Sequence, residues 1–188
     1  MGKFTFTETG IRDLYVVEPT VYGDARGYFM ETFNAEFLPY VRHLDGSPAS
    51  FVQDNESRSR HGVLRGLHFQ TANPQGKLVR VIEGEVYDVA LDLRRDSETF
   101  GKWYGVLLSA ENKKQFYIPE GFAHGFCVRS ESAAFVYKCT RLYDPSAEGG
   151  ILWSDPALGI DWGIPAEKIL LSEKDKKHPL LADLGFAF

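Results

Sequence analysis

The run Gly62-Val63-Leu64-Arg65-Gly66-Leu67-His68-Phe69-Gln70 sets an arginine and a histidine inside an otherwise apolar, β-type stretch. Arginine suits the holding of an anion, and histidine the movement of a proton near neutral pH. A regular strand alternates its faces, so side chains three apart point opposite ways. Gly66 lies between the two, and a glycine inside a strand often marks a bulge that re-aims a side chain. With a bulge there, Arg65 and His68 share one pocket. Without it, the run is an edge strand with a surface arginine and a half-buried histidine.

His124 is the second acid–base candidate. It lies in Tyr117-Ile118-Pro119-Glu120-Gly121-Phe122-Ala123-His124-Gly125-Phe126, where a strand, a Pro-x-Gly turn and a returning histidine place it at a barrel mouth. The alternative is a core histidine bonded to backbone. The spacing Pro119-x-Gly121-x-x-His124 resembles part of a metal-binding cupin motif. The partner segment, however, reads His68-Phe69-Gln70 where such a motif has His-x-His and a following Glu. Two histidines and a neutral amide make a poor shell for a divalent transition metal, so the expected barrel holds none. His61, beside Arg58 and Arg60, reads as a solvated loop residue, and His43 and His178 show only nearby charges.

Other candidates need a fold to gather them. Lys77 follows Pro74-Gln75-Gly76; at a strand end it is solvated, and pointed into a barrel mouth it stabilises an oxyanion. Tyr137 in Phe135-Val136-Tyr137-Lys138-Cys139-Thr140 is a packing residue or a proton donor. Asp175, within Ser172-Glu173-Lys174-Asp175-Lys176-Lys177-His178, belongs to a solvated charge cluster unless the tail folds over the barrel, where it can orient a histidine. Arg26 beside Gly27, with the amides of Gln53 and Asn55, is the kind of set that holds phosphates. No Walker loop, dinucleotide fingerprint or nucleophile elbow is present in the sequence.

The elements that must position these residues are mostly strands. Residues 77–82 and 86–93 flank Glu83-Gly84-Glu85 as a hairpin, with Tyr87, Val89, Leu91 and Leu93 on one face and Asp88, Ala90 and Asp92 on the other. The polar row suits solvent or a barrel lumen. Further strands are expected at 15–18, 27–32, 104–109, 115–118, 125–129 and 133–140, and one short helix at 34–40 with Asn34 as N-cap. After Pro145 the pattern breaks into short turns or helices at Pro156, Pro165 and Pro179.

The 188 residues fit a single domain over 1–188, with 14 Phe and 9 Tyr suiting a β-rich fold. A net charge of −5 gives no global basic footprint for nucleic acid. Cys127 and Cys139, the two cysteines, do not make a disulfide framework, so a reducing, cytoplasmic setting is expected. The N-terminal residues lack a signal-peptide core, Phe6 sits where myristoylation needs Ser or Thr, and no apolar run reaches transmembrane length.

Taken together, the motifs resemble the dTDP-4-dehydrorhamnose 3,5-epimerase family. The resemblance runs through Asp24-Ala25-Arg26-Gly27-Tyr28-Phe29-Met30-Glu31, Gln53-Asp54-Asn55-Glu56-Ser57, Gly62 to His68, Gln75-Gly76-Lys77-Leu78-Val79-Arg80, Pro119 to Phe126, Tyr137-Lys138-Cys139-Thr140 and Leu171-Ser172-Glu173-Lys174-Asp175. It implies an all-β, cupin-like antiparallel barrel (jelly roll) with a few short helices and no metal or organic cofactor. It implies a homodimer whose N-terminal arm crosses to the partner. His68 is implied as the base with Asp175 paired to it, Lys77 as the group beside the C4 oxygen and Tyr137 as the acid. Arg26, Phe29, Glu31, Gln53, Asn55, Arg65, His124, Tyr143, Glu148 and Lys174 are implied as contacts to a dTDP-sugar. Leu142 stands where members often carry a second aromatic; Tyr143 is retained as a nucleotide stacker or an alternative acid. Three other readings stay open on sequence alone: an epimerase acting at one carbon, a non-catalytic sugar-nucleotide-binding cupin, and a metal-dependent cupin oxygenase or isomerase.

Overall fold

The computed structural model describes residues 2–188. Its strands, in chain order, are β1 (Phe4–Glu8), β2 (Tyr15–Pro19), β3 (Val21–Asp24), β4 (Gly27–Met30), β5 (Gln53–Arg60), β6 (Leu64–Gln70), β7 (Lys77–Glu83), β8 (Glu85–Asp92), β9 (Trp103–Ser109), β10 (Gln115–Ile118), β11 (Phe122–Val128), β12 (Ser132–Cys139) and β13 (Glu148–Gly150). They form a six-stranded sheet ordered β1-β2-β10-β7-β12-β5 and a five-stranded sheet ordered β13-β6-β11-β8-β9. A separate hairpin pairs β3 with β4. All strand pairs are antiparallel. The expected cupin-like barrel is therefore present, closed by two facing sheets rather than by one continuous sheet.

Why the walls face this way follows from β8. Val86 and Ala90 pack between the sheets with Val79, Val81, Phe116, Phe126 and Phe135. The alternate row of Val89, Leu91 and Leu93 packs outward, under Ile151, Leu158, Trp162 and the flanking tail aromatics. Asp88 and Asp92 share the inner row and are fully buried. The polar row of this hairpin thus lines the interior, and the apolar row is roofed by the C-terminal segment. A strand buried on both faces loses the solvent side that its alternation suggests.

Three expectations change. The helix expected at 34–40 is a single 3-10 turn, Ala35–Phe37, although Asn34 does cap it, with Oδ1 accepting from the Glu36 amide at 2.8 Å. The segment serves an aromatic cluster instead: Phe37 packs edge-on to Phe4 and Phe6 at 4.6 and 5.1 Å. The strand at 125–129 begins earlier, at Phe122, so His124 is within β11 rather than before it. Strands β1, β3, β5 and β13 arise where the sequence pattern gave no strand. No helix among the described residues is long and apolar enough to cross a membrane, and Cys127 and Cys139 are both buried free thiols.

Candidate active site

Strands β6 and β11 pair out of step at Gly66. His124 lies opposite His68, yet Phe126 lies opposite Arg65, so three residue steps on β6 match two on β11. A Cβ on Gly66 would stand 2.5 Å from Gly125 Cα and 2.9 Å from the His124 carbonyl oxygen, and one on Gly125 would stand 2.7 Å from the Arg65 carbonyl oxygen. Only paired glycines permit this approach, and Gly66 also holds φ +131. The bulge changes the phase of the strand. Leu64 and Leu67, three apart, both join the outer core, so Arg65 and His68 both turn inward. Both side chains thus lie on one side of β6, which a regular strand would not allow. Arg65 reaches the inward row of β5, with Nε and Nη2 donating to Ser59 Oγ at 3.2 and 3.1 Å.

The tail folds over the barrel, as the second reading of Asp175 required. Asp175 begins a 3-10 turn, Asp175–Lys177. It is 3 % exposed, and its Oδ1 lies 2.5 Å from His68 Nε2. Its amide donates to Ser172 Oγ at 3.1 Å, which anchors the turn. Burial alone would raise the Asp175 carboxyl, but the hydrogen bond and charge of His68 outweigh it and hold it below the usual carboxylate range. With Nε2 engaged, His68 has Nδ1 left for a reacting atom.

A second histidine–carboxylate pair lies deeper. His124 Nε2 is 3.0 Å from each oxygen of Asp88. Burial pushes the Asp88 carboxyl up and the His124 imidazole down, each against the pull of the other. Lys77 opens β7 opposite Cys139 of β12, with Tyr137 opposite Val79 two residues on. Burial pushes the Lys77 ammonium below its usual range, against the opposing charges of Cys139, Asp88 and Glu148. Burial also raises Tyr137, and Cys139 adds to that, so its phenol stays protonated at neutral pH. The histidines stand on the five-stranded sheet; Lys77 and Tyr137 stand on the six-stranded one.

The rim ties several candidates together. Gln53 Oε1 accepts from the Tyr143 amide at 2.9 Å, its Nε2 donates to Asn55 Oδ1 at 2.9 Å, and Asn55 Nδ2 donates to Cys139 Sγ at 3.6 Å. The Tyr143 hydroxyl donates to Glu148 Oε2 at 2.7 Å, and Lys174 pairs with Glu148. Burial would raise Glu148, but the Lys174 and Tyr143 hydrogen bonds hold it low. Where a metal cupin would place a ligand, the Gln70 amide is committed to backbone. Its Nε2 donates to the Asn73 carbonyl at 2.8 Å and its Oε1 accepts from the Asp144 amide at 2.8 Å.

Three candidates are not brought to this centre within one chain. Arg26, with a side chain 91 % exposed, pairs with its own Asp24 at 2.5 Å on the β3–β4 hairpin. Phe29 on the same hairpin is 65 % exposed. Glu31 accepts from Asn34 Nδ2 at 2.7 Å. Conversely, sequence reasoning assigned no role to Asp88, His178 or Glu120. Asp88 was visible on the polar row of the hairpin, but its partner depended on the β8–β11 register, which puts it opposite Phe126. His178 Nε2 lies 3.4 Å from Asp175 Oδ1, its ring edge-on to His68 at 5.6 Å. Glu120, 2 % exposed, accepts from Leu44 N at 2.9 Å and Thr140 Oγ1 at 2.8 Å and faces His43 Nδ1 at 2.8 Å. Thr140 Oγ1 in turn accepts from Gly76 N at 2.9 Å, so this buried carboxylate sets the start of the strand that carries Lys77.

Two facing sheets around a polar mouth, with a base-type pair on one wall and an ammonium and a phenol on the other, define a cupin-type barrel equipped for acid–base chemistry. Comparison with known proteins agrees and narrows the class. The family model for dTDP-4-dehydrorhamnose 3,5-epimerase matches residues 8–183, and the chain belongs to that family. It is 53 % identical over 177 residues to the dTDP-4-dehydrorhamnose 3,5-epimerase of Methanothermobacter thermautotrophicus, covering 94 % of each chain. The crystal structure of the Elizabethkingia anophelis enzyme of that name superposes with a TM-score of 0.90 at 50 % identity, covering 98 % of this chain and 100 % of the other. The Legionella pneumophila dTDP-6-deoxy-D-glucose-3,5-epimerase, solved with dTDP-4-keto-L-rhamnose, gives 0.89 at 51 % identity over 96 % and 94 %.

Proposed function

We propose that this chain epimerises dTDP-4-dehydro-6-deoxy-D-glucose at C3 and C5 to dTDP-4-dehydro-L-rhamnose, with no cofactor. The observation that carries this reading is the 2.5 Å contact of His68 with Asp175 on one wall, facing a lysine and a protonated phenol on the other. The C4 ketone acidifies the protons on both neighbouring carbons. His68 Nδ1 takes the proton from one of them while Asp175 stabilises the imidazolium that forms. The electron pair moves onto the C4 oxygen, where Lys77 stabilises the enolate. The lowered basicity of Lys77 brings its proton closer in affinity to that oxygen. Inversion requires the new proton to arrive from the opposite face, and Tyr137 gives it. Each inversion leaves an imidazolium and a phenolate, and proton exchange with solvent restores both before the second carbon reacts.

In this reading Gln53, Asn55, Arg65, Tyr143, Glu148 and Lys174 hold the nucleotide sugar at the rim, and His124, fixed by Asp88, contacts the sugar. Arg26, Phe29 and Glu31 complete the site of a second copy in a homodimer with exchanged N-terminal arms. The exposure of Tyr22, Tyr28 and Phe29 on an otherwise unpaired hairpin supports that exchange. The enzyme works in the cytoplasm, in keeping with its two free thiols. Proton NMR in deuterated water tests the chemistry, with a coupled reductase trapping product. Deuterium is expected at both C3 and C5, and His68→Ala is expected to bind the nucleotide without exchange. Label at one carbon alone would make it a single-site epimerase, and wild-type exchange by His68→Ala would remove His68 as the base.

A further inference from the structure

We propose that Nε2 of His68, a carboxylate oxygen of Asp175 and Nε2 of His178 form a site for a borderline divalent transition ion such as Zn2+, and that an ion held there turns the enzyme off. The three ligand-type atoms lie within 4.8 Å of one another. They come from two elements that the fold already presses together: His68 from β6, and Asp175 with His178 from either end of one tail turn. The His178 ring is seated against β13 at Gly150, where any side chain would occupy its space. Its Nε2 is buried without a hydrogen-bond partner, although it lies 3.4 Å from Asp175 Oδ1. A buried polar atom normally has a partner, and a cation in this gap would supply one.

The donor set suits such an ion. Two imidazoles and one carboxylate, with a position left open, are a usual protein contribution to zinc. Metal–ligand bonds of about 2.0–2.2 Å at tetrahedral angles place neighbouring ligand atoms about 3.3 Å apart. Asp175 and His178 already have that spacing, and the 2.5 Å His68–Asp175 contact would open by less than about 1 Å. The site differs from the metal position of a cupin barrel, which would use His68, Gln70 and His124. Binding would occupy the ring and carboxylate that the reaction needs. The inhibitory half of the proposal rests on His68 as base; the binding half does not.

The test is calorimetric titration of ZnCl2 into the full-length, chelator-stripped protein, beside initial-rate assays. Wild type is expected to bind one ion per chain, and His178→Asn to bind at least tenfold more weakly. Saturating Zn2+ is expected to cut the wild-type rate at least tenfold, reversibly with EDTA, while His178→Asn escapes inhibition, measured against its own metal-free rate. Ring-nitrogen NMR of the wild type, which needs no variant, is expected to show the His68 and His178 resonances shifting together. Absence of binding, or equal binding by His178→Asn, would overturn the site. Binding at these nitrogens with an unchanged rate would support the site and overturn both the inhibition and the assignment of His68 as base.

Discussion

Replacing Asp175 by Asn tests the catalytic centre with almost no change in shape. The carboxylate stands 2.5 Å from His68 Nε2 and is 3 % exposed. When His68 takes a proton from carbon, a positive charge appears on the ring. Opposite unit charges about 4 Å apart interact by about 4 kcal/mol at an effective dielectric constant of about 20. An amide keeps the hydrogen bond and loses the charge, so about 3–4 kcal/mol of transition-state stabilisation should go. At 1.36 kcal/mol per decade, kcat should fall about a hundred- to a thousandfold. An amide nitrogen can also donate to Nε2, which favours the tautomer with a proton on Nδ1, and that tautomer cannot act as the base. KM should change little, because in the proposed reading rim residues other than Asp175 hold the sugar nucleotide. The assay is solvent deuterium entering C3 and C5, followed beside steady-state turnover. A rate within about threefold of wild type, or a loss confined to KM, would refute the role given to Asp175.

Lys77→Met removes the group proposed to stand beside the C4 oxygen and should lower kcat by about a hundred- to a thousandfold, read by the same exchange assay; an unaffected rate would show that the oxyanion is stabilised elsewhere. Gly66→Ala places a Cβ 2.5 Å from Gly125 Cα at φ +131, at a cost of about 1–3 kcal/mol. At about 2–4 °C per kcal/mol for a chain of this size, Tm should fall by at least about 2 °C and activity with it, whereas an unchanged Tm would argue against a close-packed bulge. Asp175 is held below its usual value in the fold, so its contribution to stability is complete above its unfolded value of about 3.9 and lost as pH falls through the folded one. Melting curves from pH 6 down to pH 2.5 should therefore show a smaller drop in Tm for Asp175→Asn than for wild type. Paired Tyr28→Ser and Phe29→Ser changes should convert a dimer to monomers in sedimentation velocity; a dimer unaffected by both would place the interface elsewhere.

The residues proposed for catalysis stood out in the sequence more than the scaffold around them did. The hairpin 77–93 was legible because Gly84 supplies the turn, at φ +75, and the flanking residues alternate cleanly. Strand β5 was not, because its inward row is Gln53, Asn55, Ser57 and Ser59, and a polar lumen erases the hydrophobic contrast on which alternation depends. The helix expected at 34–40 rested on Asn34 as N-cap, and the cap is there, but the rings that follow pack against β1 instead of extending a helix. The bulge at Gly66 was legible as chemistry in conflict with strand geometry: an arginine and a histidine that had to share a face but by parity could not. The pairing of Asp88 with His124 depended on register across 36 residues, and no local pattern carries that. His178 looked like one more charge in a basic cluster because its burial comes from the tail closing on β13.

Asp175 reaches His68 from 107 residues further along the chain. A ribosome adds residues at about 5–20 per second, so the base waits roughly 5–20 s for its partner to be made. Every strand residue, through Gly150, is synthesised before the carboxylate. On the proposed roles, turnover requires the docking of residues 171–178 as well as barrel formation. The tail is bound by packing as well as by this contact, because Leu171, Leu181, Leu184, Phe186 and Phe188 lie on the outer core. Cleavage near Pro165 with removal of residues 166–188 should then abolish exchange, and the same segment added back as a peptide should restore it.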